Sequence, residues 1–176
     1  MAAETALPFV SVEEYLNTSY PDGDREYVDG IVVERNLGTI PHSLLQSILT
    51  EHFRKHRKTG FGVLTECRTK TTASRYRVPD LILVSEPFDR KARFYGGVPI
   101  VVIEILSPDD RLNAVMARFQ EYELLGVRFM IQMDPERRIT HVYERGNLLQ
   151  RELTSLDYEG KSIPFDTRAL FAELDA

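Results

Sequence analysis

The chain has 176 residues, of which 43% are hydrophobic and 28% are charged, and its net charge is −5. This composition is that of a folded globular protein, which excludes a disordered or fibrous chain. No run of about 18 or more apolar residues occurs, so we predict no membrane span. The length suits one domain, and we expect it to cover residues 1–176.

The N-terminal residues lack the basic start and long apolar stretch of a secretory signal. Cys67 is the only cysteine, so no internal disulfide can form. Both observations favour a cytoplasmic protein. Residues 51–77 carry eight bases against two acids, a run that could meet a nucleic-acid backbone or simply be a solvated helix end and loop.

The first third of the chain predicts a helix, a hairpin and a longer helix. A capping-box pattern, Ser followed three residues later by Glu, opens a short helix over residues 11–17. Asp29-Gly30 lies between apolar pairs and predicts a two-residue hairpin, because Asp and Gly tolerate positive φ. Residues 41–58 repeat apolar side chains at helical spacing, and Gly60 follows as a cap.

The middle of the chain predicts strands at residues 61–69, Arg77–Val84 and Val98–Leu106. The last two are apolar almost without alternation, which is typical of strands buried on both faces by helices. Ser107-Pro108-Asp109-Asp110 predicts the start of the next helix, with Ser at the N-cap and Pro at the first helical position. Gly126 is expected to end that helix.

Three more strands are predicted at residues 127–133, 138–144 and 148–154, followed by a short helix at residues 167–174. We therefore expect an α/β fold with a sheet covered by helices, an N-terminal hairpin and C-terminal antiparallel strands.

Two carboxylates stand in the two most apolar strands. Glu104 interrupts the run Val101–Leu106, and Asp80 comes directly before Leu81–Val84. Removing an ionised carboxylate from water costs several kcal/mol unless a cation or strong hydrogen bonds compensate. Each of these acids therefore needs a neighbouring group that offsets the cost of burying its charge.

Three explanations remain open for these acids. An internal arginine such as Arg68 or Arg77 could form a structural ion pair, or the acids could have raised pKa values without a partner. A hard divalent cation is the third possibility. If the strands are neighbours, Asp80, Glu104 and the carbonyl of Ile105 could hold one ion that activates water and stabilises phosphoryl charge.

Arg118 lies at the border of the apolar stripe of the predicted helix, between Val115 and Tyr122. From this border its guanidinium could reach toward the strand that ends before the helix. It could equally extend along the surface toward water.

An ordered series of motifs runs along the chain: Glu26–Gly30, His42, Val78–Asp80, Val102–Pro108, Tyr122, Gly126-Val127 and Asp134-Pro135. In order and spacing the series resembles the Uma-type putative restriction endonucleases, a branch of the PD-(D/E)XK nuclease superfamily, over about residues 9–154.

The resemblance implies a restriction-endonuclease-like mixed central β-sheet flanked by helices, and an endonuclease that hydrolyses DNA with Mg²⁺ or Mn²⁺. It implies that Asp80 and Glu104 hold the metal, that Glu26 is a further acidic residue of the catalytic site, and that Arg118 occupies the position of a catalytic lysine. A homodimer is also expected from the family.

The chain departs from the family pattern at the lysine. Much of the superfamily has it two places after the second acid, where this chain has Leu106. The Uma-type branch has it on the next helix, where this chain has Arg118, and Ala114 stands where relatives tend to have an acid. Arginine stays charged and cannot act as a base, although it can stabilise a phosphoryl transition state.

The leading hypothesis is therefore a metal-dependent endonuclease. The alternative is a catalytically degenerate nuclease fold that binds nucleic acid or serves as a dimeric interaction module. For His42, at the start of a helix, the sequence leaves capping, phosphate contact and packing open.

Overall fold

The structure is a computed structural model that describes residues 9–21, 23–36, 38–56 and 60–175. Its α-helices are α1 (Val12–Asn17), α2 (Ile40–Lys55), α3 (Leu112–Leu125) and α4 (Thr167–Ala172), and a 3-10 turn follows at Glu173–Asp175. Its strands are β1 (Glu26–Val28), β2 (Ile31–Val33), β3 (Phe61–Thr65), β4 (Thr69–Thr72), β5 (Arg75–Arg77), β6 (Leu81–Ser85), β7 (Val101–Ile105), β8 (Phe129–Asp134), β9 (Ile139–Glu144), β10 (Asn147–Gln150), β11 (Ser155–Tyr158) and β12 (Lys161–Pro164).

Six strands form a mixed central sheet in the order β10-β9-β8-β7-β6-β3. Its β7–β8 pair is parallel and is joined by α3, whereas the other pairs are antiparallel. Residues of α2 and α4 pack on one face of the sheet, and α3 packs on the other. The expected mixed sheet flanked by helices is confirmed, and so is the burial of β6 and β7 on both faces.

The N-terminal hairpin belongs to a second, four-stranded antiparallel sheet with the order β2-β1-β5-β4. Asp29 and Gly30 have φ values of 49° and 94°, as the predicted two-residue turn requires. The buried rings of Tyr15, Tyr27 and Tyr76 pack together at this sheet. The small sheet therefore has its own aromatic core beside the central sheet.

The prediction of one strand over Arg77–Val84 is wrong. The chain leaves the small sheet at Arg77, and Val78-Pro79-Asp80 connects it to β6 in the central sheet. Proline has no N–H to donate and restricts the residue before it, so it interrupts the ladder here. Asp80 consequently lies at the junction of the two sheets.

The predicted helix start at Ser107 is also wrong. Residues 107–110 form a turn in which the N–H of Asp110 donates to the carbonyl of Ser107 at 3.0 Å. The Asp110 carboxylate accepts the N–H of Ser107 at 2.8 Å, so this acid closes the turn instead of starting a helix. Helix α3 begins at Leu112, and Arg111 at its N-cap makes no side-chain capping bond.

Other boundaries also differ from the prediction. The segment predicted as a strand over residues 61–69 is divided between β3 of the central sheet and β4 of the small sheet. The hairpin of β11 and β12 was not predicted, although Glu159 and Gly160 supply the positive φ of its turn. The predicted end of α2 at Lys58 lies outside the described residues. Within the described ranges, no helix has the length and apolar character needed to cross a lipid bilayer.

Candidate active site

The structure brings the two predicted metal carboxylates together. The antiparallel register of β6 and β7 pairs Leu81 with Ile103, and continuing it by one position sets Asp80 opposite Glu104. The Glu104 carboxylate contacts Tyr122 of α3, whereas Asp80, just before β6, contacts His42 of α2. The exposed fractions of Asp80 and Glu104 are 3% and 5%, so both acids are buried.

Both oxygens of Asp80 are engaged by donors. Arg35 donates through Nη2 to Oδ1 at 2.6 Å, and the N–H of Ile105 donates to Oδ2 at 2.7 Å. Nε2 of His42 lies 3.3 Å from Oδ2. Burial acts to raise the pKa of Asp80, but His42, Arg35 and the Ile105 N–H together lower it below its ordinary value. Asp80 is therefore ionised at neutral pH.

His42 contacts Asp80 from the first turn of α2. Thr39 is the N-cap of that helix and its hydroxyl accepts the N–H of His42, so capping is the role of Thr39. Burial disfavours the imidazolium, but the hydrogen bond and charge of Asp80 raise the pKa of His42 above its ordinary value. His42 thus helps to fix and charge-balance the Asp80 carboxylate.

The buried negative charge of Glu104 is balanced by fewer hydrogen-bond donors and cations than that of Asp80. Tyr122 donates its hydroxyl to Oε1 at 2.8 Å, whereas Nε of Arg118 lies 3.9 Å from Oε2. Among the described residues, no hydrogen bond to Oε2 is formed. Burial raises the pKa of Glu104 to about 7, the charge of Arg118 acts to lower it, and the charges of Asp80 and Glu26 raise it further.

We predict that this pKa makes the metal-free protein less stable as the pH rises. The carboxyl has an ordinary pKa of 4.5 and a folded-state pKa of about 7, so its contribution to stability is complete below pH 4.5 and is lost through pH 7. With EDTA present, the free energy of unfolding of the wild type should fall across this window by up to about 3 kcal/mol relative to Glu104→Gln.

Urea unfolding between pH 4.5 and 8 measures this difference. Glu13→Gln, which changes an exposed acid of α1, is the matched control and should show no such trend relative to the wild type. A pH profile of stability that is the same for the wild type and Glu104→Gln would contradict the prediction.

Arg118 points toward the strand instead of outward into water. Its side chain is 16% exposed, and its terminal Nη2 lies 3.6 Å from Oδ1 of Asp110. Its Nε is buried and has no hydrogen-bond partner within the part of the chain that the structure describes. Of the two orientations that the sequence left open, the structure therefore shows the inward one.

Arg118 lies on the wall of a cleft of about 770 Å³ between the N-terminal hairpin and α3. The charged lining residues are four arginines and four acids: Arg35, Arg77, Arg111, Arg118, Glu26, Glu34, Asp109 and Asp110. Two of these arginines, Arg35 and Arg118, lie next to Asp80 and Glu104 respectively. The predicted metal carboxylates therefore lie directly behind the arginines of this cleft.

Glu26 lies at the same cleft, but its carboxylate is held in a second buried network. Arg77 donates through Nη1 to Glu26 at 2.6 Å, and its Nε and Nη2 donate to the two oxygens of Glu121 at 2.9 and 2.5 Å. The N–H of Val78 also donates to Glu26 at 3.3 Å. Glu26 thus ties β1 to the start of the Val78–Asp80 junction.

The two arginines suggested from the sequence as partners of the buried acids are the wrong ones. Arg68 binds Asp24, and Arg77 binds Glu26 and Glu121. The partner of Asp80 is Arg35, which lies between β2 and α2 and has no sequence pattern that identifies it.

The donor set is suited to a cation that keeps bound water. No cluster of three or more His, Cys, Asp and Glu side chains arranged for a metal exists among the described residues, but Mg²⁺ commonly takes one or two carboxylates and several waters. No described residue donates to Oε2 of Glu104, and Asp80 is ionised. The site fits a divalent cation once Arg35 leaves Oδ1 of Asp80, and Ile105 stays the predicted source of a third oxygen.

The chain is similar in sequence or in fold to the following known proteins. An uncharacterized protein, slr1290, from Synechocystis sp. strain PCC 6803 is 28% identical over 120 residues, which are 66% of this chain and 63% of the relative. The match thus spans less than two thirds of that protein. The crystal structure of a putative nuclease belonging to DUF820 from Anabaena variabilis has a TM-score of 0.78 at 19% identity, covering 94% of this chain and 99% of the other.

The last comparison shows a shared fold and no more, because the sequence identity to that protein is only 19%. The family model described as Uma2, putative restriction endonuclease, matches residues 12–167 and therefore includes every predicted site residue. The resemblance drawn from the sequence motifs is confirmed: the chain belongs to the Uma2 family of putative restriction endonucleases.

Proposed function

We propose that the protein is a divalent-metal-dependent endonuclease that hydrolyses DNA phosphodiester bonds. The observation that carries the proposal is the buried pair Asp80 and Glu104, set opposite each other behind two arginines of an open cleft. Membership of a restriction endonuclease family and the fold of a protein described as a nuclease support it.

In this proposal Asp80 and Glu104 hold Mg²⁺ or Mn²⁺, with the carbonyl of Ile105 as a further oxygen. When bound, such an ion acts as a Lewis acid and lowers the pKa of water. Tyr122 orients Glu104 through Oε1 and leaves Oε2 available, and His42 fixes Oδ2 of Asp80. Because the pKa of Glu104 is about 7, the carboxyl must lose its proton before it can bind a cation.

Arg118 has an electrostatic role in the proposed reaction. Its guanidinium stays charged at any pH of interest, so it neither accepts nor donates the reaction proton. From the wall of the cleft it can stabilise the negative charge that develops on the phosphoryl oxygens. Its terminal Nη2, which lies 3.6 Å from Oδ1 of Asp110 in the cleft lining, would make such a contact.

The proposal is tested with supercoiled plasmid and purified protein in Mg²⁺, Mn²⁺ or EDTA. We expect nicked and linear DNA with either metal and intact plasmid in EDTA, and parallel reactions with RNA test the choice of substrate. Intact plasmid in both metals would contradict the proposal. Sedimentation of the same sample tests the homodimer that we propose as its assembly.

A second candidate function, nucleic-acid binding without cleavage, is favoured by one observation: the position of the family lysine is occupied by Arg118. In that case the protein should retain DNA in a salt-dependent manner and leave it uncut with either metal.

We predict that Arg118→Lys raises metal-dependent cleavage about a hundredfold, the lower end of the range for general acid–base catalysis. Lysine carries its ammonium one bond beyond the atom that corresponds to Nε, and Nε already lies 3.9 Å from Glu104. The ammonium can therefore reach Glu104 or the attacking water. Initial rates of plasmid nicking measure the effect, and Arg111→Lys in the same cleft is the control. An unchanged or lower rate would favour the binding role.

A further inference from the structure

Arg35 is the charged partner of Asp80, and its Nη2 lies 2.6 Å from Oδ1 of that carboxylate. We infer that Arg35 occupies the place of the divalent cation in the metal-free protein and that the metal displaces it onto a DNA phosphate. This inference rests on the proposed function and adds to it a second role for one side chain, as a counter-ion at rest and as a substrate contact when the metal is bound.

The three donors around Asp80 are not equivalent. Ile105 in β7 and His42 in α2 both approach Oδ2, and both lie on regular elements of the central layers. Arg35 is the donor to Oδ1, and it lies in the irregular segment between β2 and α2. Oδ1 can therefore be vacated by rotating one long side chain, without moving a helix or a strand.

Arg35 also serves as the common counter-charge of the site. Burial disfavours its charged form and so acts to lower its pKa. Four surrounding carboxylates outweigh this effect and raise the pKa above its ordinary value: Asp80, Glu104, Glu26 and Glu66. Asp80 and Glu104 are the pair that a divalent cation would bind. A cation bound there would both replace the guanidinium as their counter-charge and repel it.

Open clefts beside Arg35 leave room for its side chain to move away from Asp80. It lines the 770 Å³ cleft with Arg111 and Arg118, and it also lines a second cleft of about 310 Å³. The larger cleft contains three other arginines beside its four acids, and guanidinium groups bind phosphate through paired hydrogen bonds. Once released from Asp80, the Arg35 guanidinium would no longer be neutralised by that carboxylate, and it could pair with a phosphate that enters the cleft.

Metal titration without DNA tests the first half of the inference. Arg35→Gln keeps a hydrogen-bonding group but removes the competing charge, so calorimetry with Mn²⁺ should show about tenfold tighter binding than in the wild type. Arg35→Lys keeps the charge and should stay close to the wild type. Arg111→Gln, which removes an exposed arginine of the same cleft, should leave the affinity unchanged.

DNA binding tests the second half of the inference, that the displaced Arg35 contacts a DNA phosphate. In EDTA, wild type and Arg35→Gln should bind DNA with the same salt dependence. With Ca²⁺, the plot of log affinity against log salt should be steeper for the wild type by about one, the effect of a single additional phosphate contact.

A measurement on the unaltered chain covers the possibility that Arg35→Gln does not fold. An arginine-specific reagent followed by mass spectrometry should modify Arg35 faster when Mn²⁺ is present. Equal Mn²⁺ affinity in wild type and Arg35→Gln, equal salt slopes in Ca²⁺, or protection of Arg35 that is unaffected by Mn²⁺ would each overturn the inference and leave the proposed function intact. No Mn²⁺ binding by any variant would overturn both.

Discussion

Glu104→Gln and Asp80→Asn are each expected to reduce metal-dependent DNA cleavage by about 10³-fold or more. A bound cation contributes several kcal/mol of transition-state stabilisation, and each loss of about 1.4 kcal/mol costs a factor of ten in rate. Both substitutions preserve the size of the side chain and remove the negative charge that would hold the cation. Initial rates of plasmid nicking in Mg²⁺ and in Mn²⁺ measure the loss.

The matched control for these variants is Asp109→Asn, which removes an exposed carboxylate that lines the same cleft but lies outside the buried pair. It should retain nearly the full rate. Thermal melts of the three variants show whether a lost activity reflects a lost fold. If Glu104→Gln cleaved as fast as the wild type with either metal, Glu104 would not be a metal ligand.

Arg77→Met is expected to lower the free energy of unfolding by about 3–5 kcal/mol, the range found when one partner of a buried ion pair is removed. Arg77 donates to both Glu26 and Glu121, and these acids are 3% and 6% exposed. Methionine fills much of the same space but leaves both carboxylates buried beside each other without their shared cation. Urea denaturation at neutral pH measures the change.

Arg90→Met provides the comparison for an ion pair near the surface. Arg90 forms an ion pair with Glu86, four residues before it, and the arginine side chain is 70% exposed. A pair of this kind contributes about 0–1 kcal/mol, so the variant should stay close to the wild type. Similar losses in the two variants would show that the Arg77 network is not the stabilising contact that its burial indicates.

The features predicted correctly from the sequence are those that neighbouring residues determine. The Asp29-Gly30 turn and the end of α3 at Gly126 depend on positive φ, which these residue types adopt at low cost. Ser11 caps α1 by accepting the N–H of Glu14. Each of these signals is complete within a few residues.

Two boundaries that the sequence predicts wrongly depend on contacts that compete with the expected pattern. The sequence predicts one strand over Arg77–Val84, but β5 pairs with β1 and β6 pairs with β7, so the chain changes sheets between them. Ser107 has the local pattern of an N-cap, yet Asp110 takes its N–H. Distant strand partners thus decided the first boundary, and a competing contact within the same four residues decided the second.

The sequence by itself determined that Asp80 and Glu104 are buried and need compensation, because an ionised carboxylate in an apolar strand is costly wherever the strand packs. Only the tertiary structure decided which groups supply it. Arg35 lies 45 residues before Asp80. No sequence pattern connects two residues so far apart, so their ion pair could not be predicted from the sequence. Which cation meets which acid depends on how the two sheets and α3 dock, and that docking is a property of the whole chain.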